Sequence, residues 1–205
     1  MNRTLIMERL DRSFENFGVR SSSRGDHDLN PGMTPLSELR EAAVLVPLVE
    51  RNEGLTMMLT QRTDHLDNHP GQISFPGGHI EPEDGTPEEA ALREAEEEVG
   101  LDRKHVRIIG RLDQYITRTG FSVTPVVGFI HPDYTLSPDE FEVAEVFEVP
   151  LAFLLDAANH RRDSRVYKGL KREFYAMPYE DYYIWGATAG MIRNLYDVLV
   201  GGQET

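Results

Sequence analysis

Arg93-Glu94-Ala95-Glu96-Glu97-Glu98-Val99-Gly100-Leu101 reads as the closing turns of a two-faced helix. Glu94, Glu97 and Glu98 stand at i, i+3 and i+4 and share one face. Leu92, Ala95 and Val99 fall on another face, at apolar helical spacing. One side of such a helix packs into a core while the other presents concentrated negative charge. Clustered like charges destabilise a helix unless something positive sits among them. An all-oxygen donor set of this kind suits a hard divalent cation such as magnesium or manganese. The competing reading is a solvated acidic surface.

Working outward, the helix is well delimited. Thr86-Pro87-Glu88-Glu89 carries a capping-box pattern, with Thr86 as the N-cap, Pro87 in the first helical position and Glu89 three residues after the cap. Gly100 supplies the C-terminal stop. Upstream, Phe75-Pro76-Gly77-Gly78 places two glycines where the backbone can turn tightly and approach its neighbours closely. The order is an extended segment, a Gly-Gly turn, a short loop and a carboxylate-bearing helix. That combination outweighs the solvated-surface reading.

These residues together resemble the signature box of the Nudix hydrolases: a glycine, five residues, an acid, seven residues, then Arg-Glu-apolar-x-Glu-Glu-x-Gly-apolar. Gly78 opens it, Asp84 takes the acid position, and Arg93 to Leu101 close it without a mismatch; the stretch from Asp84 to Arg93 is one residue longer. The resemblance implies an α/β fold of the Nudix type, an α/β/α sandwich with a mixed β-sheet between helices. It implies Glu94, Glu97 and Glu98 as ligands of Mg2+ or Mn2+, with Glu97, Glu98 and Arg93 also in the catalytic set. It implies that Arg93 pairs internally with an acid, Asp84 being the loop partner, and that Gly77 and Gly78 lie against substrate. A carboxylate from a separate loop often completes catalysis in this family. Glu142 is preferred for it, with Glu145 three residues on as the alternative.

A longer segment, Leu59-Thr60-Gln61-Arg62-Thr63-Asp64-His65-Leu66-Asp67-Asn68-His69-Pro70-Gly71-Gln72-Ile73-Ser74-Phe75-Pro76-Gly77-Gly78, is similar to the extended signature of the coenzyme A diphosphatase branch. Asp67 replaces its usual arginine. Two further stretches, Glu142 to Leu151 and Tyr183 to Ala189, share the resemblance. It implies cleavage of coenzyme A or acyl-CoA to 3′,5′-ADP and 4′-phosphopantetheine or its acyl form. Arg62 and His69 are then expected at the substrate, Gln72 and Ser74 at the entrance. Trp185 and Tyr183 are either core residues or packing for an adenine or pantetheine arm. Arg118, Arg161, Arg162 and Lys168 are unassigned cations. The alternatives are a broader pyrophosphatase of the ADP-ribose or NADH type, and a catalytically silent nucleotide-binding module.

Composition bounds the rest. The chain has 205 residues, a formal charge of −14 and no cysteine, which excludes disulfides and thiolate metal sites. So acidic a chain lacks the basic footprint of a nonspecific nucleic-acid binder. No apolar run is long enough to span a bilayer, and a cytoplasmic location is expected. Residues 1–36 read as a helical extension with a linker, and 37–202 as the hydrolase domain. In the extension, Ile6, Leu10 and Phe14 recur at helical spacing, a docking arm or homodimer contact if not packed on its own domain. Residues 21–32 are rich in Ser, Gly, Asp and Asn and read as a linker or mobile loop. Strands are expected at 43–49, 55–60, 106–115, 122–130, 171–177 and 181–185, with Pro47 disturbing one ladder position. A bend is expected at 118–120, a helical turn at 151–155 and a helix at 188–200.

Overall fold

A computed structural model describes residues 1–17, 23–66, 69–167 and 169–201. The expectations for Asp67, Asn68, Lys168, residues 21–22 of the linker and residue 202 lie outside the described residues, as does the Phe14 side chain. In chain order the elements are α1 (Arg3–Phe17), β1 (Arg24–Gly25), β2 (Arg40–Arg51), β3 (Gly54–Arg62), β4 (Ile73–Ser74), β5 (Gly77–His79), α2 (Pro87–Val99), β6 (Val106–Arg111), β7 (Tyr115–Ile116), β8 (Phe121–Ile130), β9 (Val143–Pro150), α3 (Leu151–Leu154), β10 (Arg161–Tyr167), β11 (Leu170–Tyr179), β12 (Tyr182–Trp185) and α4 (Ala187–Leu199).

Strands β2 and β8 form the parallel centre of a mixed nine-stranded sheet. Both are buried on both faces and largely apolar, as strands covered on two sides must be. A parallel pair needs a crossover, and α2 lies within it. The alternation of β2 divides two cores. Ala43, Leu45 and Val49 pack with Ala91, Ala95 and Val99 of α2. Ala42, Val46 and Leu48 pack with Ile6 and Leu10 of α1 and Ile192, Leu195 and Leu199 of α4. The result is the expected helix–sheet–helix layering. Strands β10, β11 and β12 form a separate antiparallel sheet, and Met177 and Ile184 join the second core.

One edge of β2 splits. Strand β5 pairs with Ala42 to Val44 and β3 with Leu48 to Arg51. Pro47 lies between the two partners, where a missing N–H disrupts least. The expected strand at 106–115 is two pieces, β6 and β7, which pair with different parts of β8. The described part of the expected linker is instead built into the fold. Arg24–Gly25 pair with Tyr115–Ile116, Asn30 exchanges side-chain bonds with the backbone of Glu173, and Tyr115 donates to Asp26 at 2.8 Å.

Candidate active site

The carboxylate helix is fixed at both ends. Thr86 Oγ1 accepts from the Glu89 N–H at 3.2 Å, and Gly100 closes the helix in the left-handed region at φ 68°. The clean division of faces is corrected in one respect. The buried stripe runs Ala91, Ala95 and Val99, and Glu98 is drawn in beside it at 7% exposure, while Leu92 is only half-buried.

The glycine turn explains why Glu98 can be there. The Gly77 N–H donates to Glu98 Oε2 at 3.1 Å. At Gly77, φ is 155° and a Cβ would run into the Ala43 carbonyl. A Cβ on Gly78 would stand 2.5 Å from the Glu94 carboxylate. Both positions therefore exclude side chains, so that the strand can lie directly against the acids.

Arg93 ties the same parts together. Its Nε and Nη2 donate to the two oxygens of Asp84 at 3.1 and 2.8 Å, and Nη2 also reaches the His79 carbonyl at 3.0 Å. Its Nη1 donates to Glu94 and Glu97, each at 3.0 Å. The forked geometry joins loop, strand and helix. The guanidinium holds the Asp84 carboxyl below the usual range.

The remaining walls come from β3 and the start of β9. The ladder slips between Gln61 and Arg62, which face Glu145 and Val143 and leave Ala144 over. A bulge of this kind re-aims side chains. Arg62 lies 3.6 Å from Glu98 and 3.7 Å from Glu142. Glu145, the alternative to Glu142, accepts instead from the Tyr182 hydroxyl at 2.8 Å. Burial pushes Glu98 up to about 7; the Gly77 N–H and Arg62 oppose the rise, and the charges of Glu94 and Glu142 add to it. Burial likewise raises Glu94. Among the described residues the charged form of Glu98 has only the Gly77 N–H and Arg62 at 3.6 Å to offset its burial, while Glu94 has Arg93 at 3.0 Å.

At rest the three helix carboxylates do not converge on one point. Glu97 turns to Arg93 and is 60% exposed, and among the described residues no three acids or histidines clasp an ion as they stand. The donor set nevertheless suits a hard cation: oxygen only, on adjacent turns, with one member buried and under-compensated. Glu98, Glu94 and Glu97 are the side chains that could hold it.

Beside the acids opens a cleft of about 490 Å³. Arg62, His69, Gln72, Ser74 and Gly77 line it, as does Trp185. His69 adopts φ 58° with Nδ1 3.0 Å from Gln72 Oε1. Tyr183 is absent from the wall and donates to Asp163. Of the unassigned cations, Arg118 reaches the cleft, together with Arg165 and Arg172, which sequence reasoning missed. Their strands carry no clean apolar alternation: β10 is exposed throughout. The signal available was the density of arginines on either side of the Gly169 turn.

The NUDIX domain family model matches residues 39–170. The Escherichia coli O7:K1 protein named "Uncharacterized Nudix hydrolase NudL" is 45% identical over 156 residues, covering 76% of this chain and 81% of that protein. Its namesake from Enterobacter sp. 638 is 44% identical over the same span. Among solved structures, the Nudix hydrolase RenU of M. smegmatis aligns with a TM-score of 0.48 at 22% identity, over 57% of this chain and 74% of that one. The chain belongs to the Nudix hydrolase family. It is an enzyme of the pyrophosphatase type, and among its described residues no helix is long and apolar enough to cross a membrane.

Proposed function

We propose that the enzyme hydrolyses the pyrophosphate bond of coenzyme A or acyl-CoA, releasing 3′,5′-ADP and 4′-phosphopantetheine or its acyl form. One observation carries this reading. The segment that resembles the coenzyme A branch supplies Arg62, His69, Gln72, Ser74 and Gly77 to a single cleft beside the acidic helix.

Nudix hydrolases generally use divalent metal ions; here Glu94, Glu97 and Glu98 would hold magnesium or manganese. Bound there, the cation would offset the charge of the diphosphate oxygens and lower the pKa of water. The protein groups have separate tasks. Arg62 faces the diphosphate and offsets part of its charge. Glu142, 3.7 Å from Arg62 and 41% exposed, takes the proton of the attacking water. Arg93 touches none of the reacting atoms: it fixes the loop of Asp84 and the strand of His79 against the helix. Gly77 and Gly78 leave the backbone bare for the substrate. His69, on the cleft wall beside Gln72, donates to phosphate.

The test is digestion of coenzyme A, acyl-CoA, ADP-ribose and NADH with manganese in oxygen-18 water. Fastest turnover of coenzyme A or acyl-CoA is expected, with label in one of the two phosphate products. A preference for ADP-ribose or NADH would move the enzyme to the broader class. Tight binding of coenzyme A without turnover would make it a silent module.

A further inference from the structure

The far wall of the cleft is positive in a chain whose formal charge is −14. Arg165 of β10 and Arg172 of β11 are direct cross-strand partners, and both line the cleft with Arg118. Like charges placed opposite each other on a ladder destabilise it. Several other arginines hold carboxylates: Arg24 with Asp197, Arg51 with Glu148, Arg93 with Asp84, Arg111 with Glu88. Among the described residues no carboxylate stands within ion-pair distance of Arg118, Arg165 or Arg172. The Nε of Arg172 is buried and has no hydrogen-bond partner, and a buried donor left unpaired is costly.

The two acids on the cleft wall are already engaged. Asp26 accepts from the Tyr115 hydroxyl and the Arg118 N–H, and Glu173 pairs with Lys171. Aromatic rings steady two of the guanidinium groups: Arg118 lies 4.1 Å over Tyr167 and Arg165 5.2 Å over Trp185. Trp185 in turn packs against Phe174. The wall therefore joins a flat apolar surface to three cations.

We propose that Arg118, Arg165 and Arg172 form a second anion subsite, separate from the carboxylate end. It takes a phosphomonoester on the ribose of a nucleotide whose base packs near Trp185 and Phe174. An anion between Arg165 and Arg172 removes their repulsion and gives the Arg172 Nε its acceptor. The assignment of this phosphate to coenzyme A, whose ribose carries one, rests on the function proposed above.

The test compares kcat/KM for coenzyme A and for 3′-dephospho-coenzyme A in the wild type, Arg172→Gln and Arg165→Gln. The wild type should favour the phosphorylated substrate by about tenfold or more, the scale of one charged hydrogen bond, and each variant should bring the ratio toward one. Equal rates in the wild type, or a ratio that neither variant moves, would overturn the subsite. Arg165 is exposed, so its variant remains informative if Arg172→Gln folds poorly. If neither compound is hydrolysed while ADP-ribose or NADH is, the coenzyme A reading fails on its own. Calorimetry with 3′,5′-ADP and 5′-AMP then judges the subsite: a preference for 3′,5′-ADP that Arg172→Gln abolishes sustains it, and equal affinity sinks it.

Discussion

Two carboxylates of this molecule, Glu148 and Glu98, are both drawn out of water and titrate in opposite directions. Burial alone would raise Glu148. Hydrogen bonds from Arg51, Thr56 and Tyr134 outweigh it and bring the group down to about 2. The Arg51 fork takes both oxygens, Thr56 reaches one at 2.6 Å and Tyr134 the other at 2.8 Å. Glu98 receives one backbone N–H and an arginine at 3.6 Å, and burial carries it to about 7. The first cluster is complete within the chain. The second is left short of positive charge, and the shortage points to a partner from outside.

The strongest way to break this contrast is Glu98→Gln. If the helix acids hold the metal, kcat should fall by about a thousandfold, several kcal/mol of transition-state stabilisation, while circular dichroism stays native. Near-normal turnover of the folded variant across a manganese titration would remove the metal-site reading.

Metal binding itself sharpens the contrast. Manganese at about a hundred times its dissociation constant should stabilise the wild type by about 2.7 kcal/mol, seen as a raised melting midpoint. Glu98→Gln should lose most of that rise and Glu148→Gln should keep it. A rise of equal size in all three proteins would place the ion elsewhere.

Asp84→Asn tests the brace. It halves the charge balance of a pair that fixes loop to helix without touching substrate. The expected loss is about 10- to 100-fold in kcat, the usual scale for groups that orient ligands. An unaltered rate would reduce the Arg93–Asp84 pair to a surface ornament.

The smallest effect is expected at Glu148. Removing its charge should cost about 1–3 kcal/mol of stability near pH 7, with kcat unchanged. Its folded pKa lies below the ordinary 4.5, so the stabilisation is complete above that value and is lost as the pH falls toward 2. Urea titrations of wild type and Glu148→Gln should converge across that acid range. A gap that persists at low pH would mean the interaction is not ionic.

The sequence by itself determined what is local. Helix α2, its Thr86 and Gly100 caps, the Gly77–Gly78 turn and the central strands β2 and β8 all follow from short-range patterns, because capping, φ preference and periodic burial act within a few residues. The family box likewise identified Glu94, Glu97, Glu98 and the arginine beside them as residues of interest. Only the tertiary structure decided how these charges are shared. Glu98 is buried because β5 lies against it. Arg62 stands between Glu98 and Glu142 because the β3–β9 ladder slips, and Glu145 is withdrawn because Tyr182 crosses to it. Residues 24–32, within the expected linker of 21–32, looked like one since their composition is that of turns; pairing with β7 and bonding to β11 fixed them. Strand β10 was invisible for the complementary reason: exposed on both faces, it carries no apolar alternation, and register with β11 alone brings Arg165 opposite Arg172. Charge compensation is a sum over neighbours distant in the chain, and no local pattern encodes that sum.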